Sequence, residues 1–273
     1  MLNFIPTPIG NLGDISFRAV ELLKEGEYIL CEDTRVSKRL LYLLGEKYNI
    51  IFPNFTFFSV HSHNEEKFLT SSNIEILKNK NCIYLSDAGM PCVSDPGAIL
   101  VQYCLKYNIP YDVLPGANAL LTAYANSGFL DTEFTFFGFL PHKGKERQYK
   151  LEKILHCSNL AILYESPHRL LKLLEELKNN IPNQEIFLVK ELTKKYQTRY
   201  KDSAQNIYNI LKDENIKGEW VILIPSLVSK NTNPITLNDI HELSIAPKQK
   251  AKLISKLTGK NIKEIYNQLA LKK

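Results

Sequence analysis

The sequence has few of the features that mark membrane, secreted or disulfide-rich proteins. In 273 residues no apolar run approaches the ~18 residues that a membrane-spanning helix needs, and the first ten residues have neither the basic start nor the long apolar segment of a signal peptide. The five cysteines are odd in number and form no Cys-x-x-Cys pair, which argues against a disulfide framework and a zinc knuckle. We therefore expect buried thiols and a cytoplasmic protein.

Several common catalytic motifs are also missing. There is no Gly-x-Gly-x-x-Gly fingerprint, no Walker loop and no Gly-x-Ser-x-Gly elbow. The first loop carries a Thr-Pro pair where the leading glycine of a dinucleotide-binding turn would stand. Dehydrogenase, NTPase and serine-hydrolase chemistry are accordingly disfavoured.

Net charge is nearly absent from most of the chain and concentrated at its end. Residues 1–229 contain 25 basic and 26 acidic side chains, net −1, whereas residues 230–273 contain 9 lysines against 3 acids, net +6. Such an asymmetry fits a module that contacts a polyanion, and it fits equally a solvated lysine-rich helix. Charge alone leaves both interpretations open.

What the sequence does contain is an alternation of apolar runs and amphipathic segments. With 44% hydrophobic and 23% charged residues, its composition is that of a chain with substantial cores, and its length suggests about two domains. The alternation predicts parallel strands with helical crossovers, hence an α/β domain over residues 1–115. Strands are predicted at 2–5, 28–31, 82–85 and 111–114, and helices at about 16–25, through 40–44 with an end at Gly45, and at 98–107.

A second α/β domain is predicted over residues 116–229, and a basic helical module over 230–273. The segment 142–153 is expected to be an exposed loop and helix start, and the polar run 230–234 a linker. Capping signals at Thr236, Pro247 and Asn261 predict about three short helices of helix-turn-helix size. In the second domain, strands are predicted at 134–139, 160–164, 185–190 and 220–224, and helices at 170–177 and 207–211.

Two loops repeat a Ser-Asp-x-Gly pattern eight residues apart. Ser86-Asp87-Ala88-Gly89 follows a predicted strand, and Ser94-Asp95-Pro96-Gly97 comes next. A strand end that opens into a Gly- and Asp-containing loop is where α/β sheets bind ligands. The alternative is a pair of Asx-turns without a ligand.

Other polar clusters are less specific. His61-Ser62-His63-Asn64-Glu65 has two imidazoles but no second cluster at metal-ligand spacing, so we expect no metal. Glu165-Ser166-Pro167-His168-Arg169 is either a polar strand end or a helix cap, and Lys190-Glu191-Leu192-Thr193-Lys194-Lys195 is either a surface turn or a charged site wall.

Taken in order, these motifs resemble those of the tetrapyrrole methylase (class III) superfamily, and within it the family that methylates small-subunit ribosomal RNA. The resemblance covers about residues 4–225 and extends to the C-terminal module. Two positions depart from the family pattern: Met90 replaces a threonine, and Gln197 stands where a glutamate is usual. The motifs are Thr7-Pro8-Ile9-Gly10-Asn11-Leu12-Gly13-Asp14-Ile15, Glu32-Asp33-Thr34-Arg35, His61-Ser62-His63-Asn64-Glu65, both Ser-Asp-x-Gly loops, Leu114-Pro115-Gly116-Ala117, Gly138-Phe139-Leu140-Pro141, Glu165-Ser166-Pro167-His168-Arg169 and Glu191-Leu192-Thr193-Lys194.

The resemblance implies a fold and an activity. The fold would be two α/β domains with a cleft for S-adenosylmethionine between them, plus the small C-terminal helical module. The activity would be 2′-O-methylation of a cytidine in the decoding centre of 16S rRNA, on the 30S subunit, by a homodimer. By similarity the cofactor contacts are Pro8, Ile9, Asp87, Gly89, Met90, Ser94, Asn118, Ala119, Tyr164, Leu192 and Glu219.

Methyl transfer to a ribose hydroxyl needs alignment of three atoms and a proton acceptor, and no metal or covalent nucleophile. We expect Glu32 as the acceptor first, with Arg35 as a contact to substrate phosphate or base. The alternative, purely structural interpretation of Glu32-Asp33-Thr34-Arg35 is a helix N-terminus that is stabilised by acidic side chains. The further catalytic candidates are Asp33, Glu165, Glu191 and Lys194.

Two rival functions remain at this level. A class III methyltransferase acting on a tetrapyrrole would share the fold, but it would not need the basic module. A non-catalytic rRNA-binding assembly factor would need no cofactor site, so the retained Asp87, Gly89 and Pro-Gly-Ala-Asn loop argue against it.

Overall fold

The first half of the chain builds a parallel sheet. The computed structural model describes residues 1–227 and 235–270, and residues 1–227 form one compact unit. Its first sheet has the order β3-β2-β4-β1-β5, and every adjacent pair is parallel. The strands are β1 (Leu2–Ile5), β2 (Tyr28–Cys31), β3 (Thr56–Ser59), β4 (Cys82–Leu85) and β5 (Tyr111–Val113).

The predicted strands of this half are confirmed, with β5 one residue shorter, while β3 was not predicted. β3 is a half-exposed edge strand and lacks the buried apolar run that marks the others. The helices are α1 (Phe17–Glu25), α2 (Thr34–Tyr48), α3 (Glu65–Phe68), α4 (Ser71–Asn79) and α5 (Ala98–Tyr107).

Local capping explains the helix bounds, with one correction. Ser16 accepts the Ala19 N–H at 3.1 Å to begin α1, as side-chain caps do. The predicted end of α2 at Gly45 is wrong, because the helix continues through the glycine. It ends where Asn49 takes a left-handed conformation, φ 53°, and donates its N–H to the Gly45 carbonyl, a common helix end.

The first sheet is buried on both faces. Leu2, Phe4, Leu30 and Tyr84 pack on one face, and another set that includes Ile5 and Ile83 packs on the other. Burial on both faces explains why β2 and β4 are continuous apolar runs and why β1 is interrupted only by Asn3. In such a sheet the carboxyl ends of all strands lie along one edge, which is where ligands bind.

The second sheet is mixed. Its order is β6-β7-β10-β8-β9, with only β6 and β7 parallel. Edge strand β9 was not predicted, because its alternating polar residues face solvent. The strands are β6 (Phe134–Phe139), β7 (Leu160–Glu165), β8 (Glu185–Lys190), β9 (Thr198–Ser203) and β10 (Trp220–Ile224), and the helices are α6 (Ala119–Ser127), α7 (Gly144–Leu155), α8 (Pro167–Asn180) and α9 (Ala204–Leu211).

One charged residue of the segment predicted to be exposed is buried. α7 begins at Gly144 as expected, but the Arg147 side chain is only 3% exposed and pairs with Glu176 of α8 at 2.7 Å. Arg147 also donates to the Pro141 carbonyl at 3.1 Å. The buried guanidinium therefore ties the chain segment after β6 to α8.

The C-terminal unit is a small helical bundle with its own core. It consists of α10 (Leu237–Glu242), α11 (Pro247–Thr258) and α12 (Ile262–Ala270), around a core that includes Ile240, Ala251 and Ile254. The three predicted helices are confirmed, and Thr236 and Asp239 form a reciprocal capping box. The predicted linker at 230–234 lies outside the described residues.

A row of lysines runs along one exposed face of α11. Lys248, Lys252 and Lys256 are spaced four residues apart and are all exposed, so they lie on the same face of the helix. We call these three residues the lysine row. Its spacing concentrates positive charge on one strip of this unit.

The prediction of buried thiols holds for three of the five cysteines. All five are free, with Cys31, Cys82 and Cys104 buried and Cys92 and Cys157 half-buried. Within residues 1–227 and 235–270, no helix is both long and apolar enough to cross a membrane.

Candidate active site

The loops that follow β1 and β4 are locked together at the carboxyl edge of the first sheet. Thr7 and Gly89 form an antiparallel bridge with two N–H···O bonds of 3.0 Å. The Thr7 hydroxyl donates to the Ser86 carbonyl at 3.1 Å, and the Ser86 hydroxyl donates to that of Gly89 at 2.7 Å. Because β1 and β4 are neighbours, the two loops form one rigid floor.

The first loop also contacts the second sheet. Asn11 donates its N–H to the Thr193 hydroxyl at 3.2 Å. A Cβ at Gly10 would overlap the Lys194 side chain and lie 2.8 Å from the Thr193 hydroxyl and 3.1 Å from the Leu192 carbonyl oxygen. Gly10 is therefore required by the close approach of the loop after β8.

Where these loops meet, a largely apolar cavity of about 390 Å³ opens. We call it the central cavity. Its size is in the range of small-molecule sites, and its lining of apolar side chains with a few polar groups is typical of them. It is lined by Ile9, Ala88, Gly89, Met90, Val93, Ser94, Asp95, Asn118, Ala119, Phe139, Tyr164, Glu165, Ser166, Pro167, Leu192, Glu219, Trp220 and Val221.

Most of the predicted cofactor contacts are brought together here. Pro8 and Asp87 are the exceptions: Pro8 only precedes a lining residue, and Asp87 lines a neighbouring pocket. The contacts that line the central cavity are Ile9, Gly89, Met90, Ser94, Asn118, Ala119, Tyr164, Leu192 and Glu219.

Gly89 shows how the backbone makes room for a ligand. Its φ of +89° is a conformation that favours glycine, and a Cβ there would lie 3.1 Å from Ile9 Cγ2. A side chain at this position would narrow the cavity. The missing Cβ thus leaves a cradle in the cavity wall.

Two side chains position the far wall. Asn118 caps α6 by accepting the Leu121 N–H at 3.1 Å, and the Tyr164 hydroxyl accepts the Leu120 N–H at 3.1 Å. The Tyr164 ring also packs edge-on against Phe136, with centroids 4.9 Å apart. Helix α6 and strand β6 therefore hold Tyr164 at a fixed place beside the cavity.

A polar pocket of about 500 Å³, which we call the acidic pocket, collects the other predicted groups. The Asp33 N–H donates to Asp87 at 3.2 Å, and Asp33 pairs with Arg35 at 2.6 Å. The hydrogen bonds from Arg35 lower the pKa of Asp33 to about 2. The pocket is lined by Glu32, Asp33, Thr34, Arg35, Ser59, His61, Ser62, His63 and Asp87.

Three carboxylates from two loops line the two cavities: Glu32 follows β2, and Asp87 and Asp95 both lie between β4 and α5. Burial raises the pKa of Asp87, and burial followed by the charge of Asp87 raises the pKa of Glu32. Asp95 is affected most: burial, then the charges of Glu32 and Asp87, raise its pKa to about 7. We call these three residues the acidic cluster.

Asp95 was missed as a site residue, although its motif was noticed. It lines the central cavity while Glu32 and Asp87 line the acidic pocket. The repeat of Ser-Asp-x-Gly was the signal that could have found it. Its loop is unusual as well, because Cys92 and Ser94 have positive φ values of 68° and 66°, a conformation enriched at functional sites.

The remaining catalytic candidates are held in ion pairs. Glu165 is fully buried and pairs with Arg169 at 2.8 Å, while its Oε2 atom has no hydrogen-bond partner. Burial raises the pKa of Glu165, against the effects of the Ser166 N–H and Arg169. Since Glu165 also accepts the Ser166 N–H at 2.8 Å, the geometry favours a positioning role at the start of α8.

Glu191 and Lys194 form a bridge with Glu219 across the loop after β8. Lys194 Nζ lies 2.9 Å from carboxylate oxygens of both glutamates. Burial alone would lower the pKa of Lys194, but its hydrogen bonds to Glu191 and Glu219 raise it on balance. An ammonium that is held protonated in this way cannot accept a proton. The three residues therefore fit a role in holding the loop after β8 in place.

One of the two sequence departures, Gln197, and the imidazole motif find structural explanations. Gln197 accepts the Thr193 N–H at 2.7 Å and so stabilises the same loop without a charge. Buried Glu65 accepts the N–H groups of Gly97 and Leu100 at 3.1 and 2.9 Å and thereby caps α5. In the part of the chain that the structure describes, no group of His, Cys, Asp and Glu could hold a metal ion.

Comparisons with known proteins identify the family of the chain. The family model described as Tetrapyrrole (Corrin/Porphyrin) Methylases matches residues 1–208. The chain is 48% identical over 269 residues to "Ribosomal RNA small subunit methyltransferase I" of Campylobacter fetus subsp. fetus, covering 98% of this chain and 99% of that protein. The protein of the same name from Helicobacter pylori strain 26695 is 47% identical, with 99% and 98% covered.

A solved structure shares the fold at low sequence identity. The uroporphyrin-III C-methyl transferase of Thermus thermophilus, complexed with S-adenyl homocysteine, superposes with a TM-score of 0.56 at 18% identity, covering 81% of this chain and 96% of that chain. The two-sheet arrangement is thus that of these methylases. The chain belongs to the tetrapyrrole methylase superfamily and, within it, to the family of ribosomal RNA small subunit methyltransferase I.

Proposed function

We propose that the protein methylates the ribose 2′-oxygen of a cytidine in the decoding centre of 16S rRNA, with the 30S particle as substrate. The observation that carries the proposal is an apolar cavity in which predicted cofactor contacts from both sheets converge, in a chain nearly half identical, end to end, to rRNA small subunit methyltransferases. The enzyme is a methyltransferase that uses S-adenosylmethionine.

The central cavity fits this cofactor. The cradle left by Gly89 and the apolar side chains of Ile9 and Leu192 suit a nucleoside and a thioether chain. The polar groups of Asn118 and Glu219 lie in the same wall. S-adenosylmethionine, when bound, supplies a methyl group on a sulfonium cation.

The acidic pocket is the proposed entry for the ribose. Arg35 is the one arginine or lysine among the described residues that line it, and its side chain is 89% exposed. An exposed guanidinium is suited to a phosphate of the RNA backbone. Arg35 would thereby place the neighbouring ribose beside the acidic cluster.

The proton of the attacking hydroxyl is proposed to pass to the acidic cluster. As the 2′-oxygen bonds to the methyl carbon, the carbon–sulfur electron pair stays on sulfur and the hydroxyl proton moves to a carboxylate. Glu32 was the first prediction for this role. Asp95 lies in the cavity itself, and a pKa of about 7 is close to the optimum for a general base at neutral pH.

The other predicted residues are proposed to hold these groups in place. Glu165 with Arg169 fixes the start of α8, and Glu191 with Lys194 fixes the loop that carries Leu192. Alignment of this kind is the main requirement of in-line methyl transfer. Pro8 and Asp87 would act beside the lining residues, through the loop after β1 and through the Asp33 N–H.

The lysine row is proposed to bind rRNA phosphates. Cations on one helix face add salt-dependent affinity without reading the sequence. We further propose residues 1–115 and 116–229 as the two domains that enclose the cofactor, a homodimeric assembly by family resemblance, and a cytoplasmic location with the ribosome.

The function is tested with purified protein, radiolabelled S-adenosylmethionine and 30S subunits that lack the modification. The expected product is 2′-O-methylcytidine in 16S rRNA after nuclease digestion. Label in a base, or in a tetrapyrrole offered as competitor while the 30S subunit stays unlabelled, would contradict the proposal.

A further inference from the structure

An aromatic side chain stands half in solvent at the central cavity. Phe139 is the last residue of β6, lines the cavity and is 50% exposed. The backbone just before Phe139 sets the direction in which its side chain points. A bulge between Phe136 and Gly138 shifts the register with β7, and Gly138 has φ +61°. Bulges commonly re-aim a side chain beside an active site.

The Phe139 ring is supported on more than one side. The Tyr164 ring packs against it at 5.7 Å with an interplanar angle of 64°. The Arg169 guanidinium lies over the ring, 5.8 Å from its centroid. Arg169 is itself fixed, because it donates to the Leu140 carbonyl at 2.9 Å and pairs with Glu165 at 2.8 Å. The ring is therefore preorganised while half of its surface stays open.

Besides Arg169, the chain that follows Phe139 supplies further cations. Lys150 donates to the Phe139 carbonyl at 3.1 Å, and Lys143 and Lys145 are exposed at the start of α7. A fixed aromatic ring beside cations is the arrangement by which proteins hold unstacked nucleotides, with the base on the ring and the phosphates on the cations.

We propose that Phe139 stacks on a base of the RNA substrate and so holds the target nucleotide at the mouth of the central cavity. The inference rests on the proposed function and deepens it, because it names the contact that fixes the base while the ribose reaches the acidic cluster. The cofactor also contains a base. The half-exposed position of the ring favours a ligand that arrives from solvent over one enclosed among the buried lining residues.

The test compares Phe139→Leu with Phe139→Tyr, using methyl transfer to 30S subunits and calorimetric binding of S-adenosylhomocysteine. Stacking predicts a loss of about 10- to 100-fold in kcat/KM for the leucine variant, recovery to within about threefold for the tyrosine variant, and an unchanged Kd for S-adenosylhomocysteine. Phe17→Leu is the matched control, since Phe17 is 91% exposed and lines neither cavity, and it should leave kcat/KM unchanged.

Three results would overturn the inference. These are a leucine variant as active as wild type, a tyrosine variant as impaired as the leucine variant, and a parallel loss of S-adenosylhomocysteine affinity, which would assign the ring to the cofactor. Wild-type protein that fails to methylate 30S subunits would instead refute the proposed function, so the two failures are distinguishable. Melting temperatures of both variants identify any loss of folding.

Discussion

Replacing Asp95 with asparagine should stabilise the protein at alkaline pH and much less at acidic pH. The pKa of Asp95 is raised to about 7 from an ordinary value of 3.8, first by burial and then by Glu32 and Asp87. A raised carboxyl pKa means that the folded state resists ionisation. Asp95 therefore lowers the free energy of unfolding as the pH rises above 3.8, and this destabilisation is complete above a pH of about 7. Asparagine does not titrate and escapes this cost.

The magnitude follows from the two pKa values. Between pH 5.0 and 8.5 the linkage relation gives about 2.7 kcal/mol for such a shift, which we halve to about 1.3 kcal/mol because the half-buried carboxylate is partly screened by solvent. For a chain of this size that is a change of about 3–5 °C in melting temperature.

The assay is thermal unfolding of wild type and Asp95→Asn at both pH values. The difference in melting temperature between the two proteins should grow by about 3–5 °C from pH 5.0 to 8.5. Asp213→Asn is the control, because Asp213 is exposed and lines neither cavity. An equal difference at the two pH values would refute the reasoning and remove the acidic cluster as a perturbed site.

Further predictions concern activity, the cofactor loop, the C-terminal unit and the buried ion pair. Asp95→Asn should reduce kcat by about 10²- to 10⁴-fold, because Asp95 accepts the proton, while Glu32→Gln should reduce kcat far less. A larger reduction for Glu32→Gln than for Asp95→Asn in single-turnover assays would assign the role to Glu32. Gly10→Ala should raise the Kd for S-adenosylhomocysteine about tenfold by overpacking, since the added Cβ would lie 3.1 Å from a backbone oxygen, and calorimetry showing no change would exclude that contact. Glutamine at all three positions of the lysine row should reduce the slope of log affinity for 30S subunits against log salt by about 2–3, whereas an unchanged slope in filter binding would place the RNA contact elsewhere. Glu176→Ala leaves the 3% exposed Arg147 side chain unpaired and should lower unfolding free energy by about 3 kcal/mol, measured by urea titration; a loss below about 1 kcal/mol would show that the arginine is hydrated.

Strands that are buried on both faces could be predicted from the sequence, because such burial requires a nearly continuous run of apolar residues. β2 and β4 consist of such a run, and β1 departs from it only at Asn3. Edge strands β3 and β9 carry no such signal, since half or more of each faces solvent. The helix end predicted at Gly45 was wrong because glycine costs a helix only ~1 kcal/mol, which tertiary contacts offset.

The cofactor cavity could be anticipated from motifs, but the acidic cluster could not. Ile9 and Gly89 lie in motifs whose order resembles that of the family, and Tyr164 directly precedes another such motif. The pKa of Asp95 is raised first by burial and then by the charges of Glu32 and Asp87, and no local pattern encodes that burial or the approach of Glu32 from the loop after β2. The buried state of Arg147 likewise depends on Glu176, 29 residues away in the chain.

The central claim is tested most directly by mapping 2′-O-methyl groups in 16S rRNA from cells with and without this protein. The account predicts that one cytidine in the decoding centre loses its 2′-O-methyl group when the protein is absent and regains it when the wild-type protein is restored. An identical map in both strains, or the loss of a base methyl group instead, would contradict it.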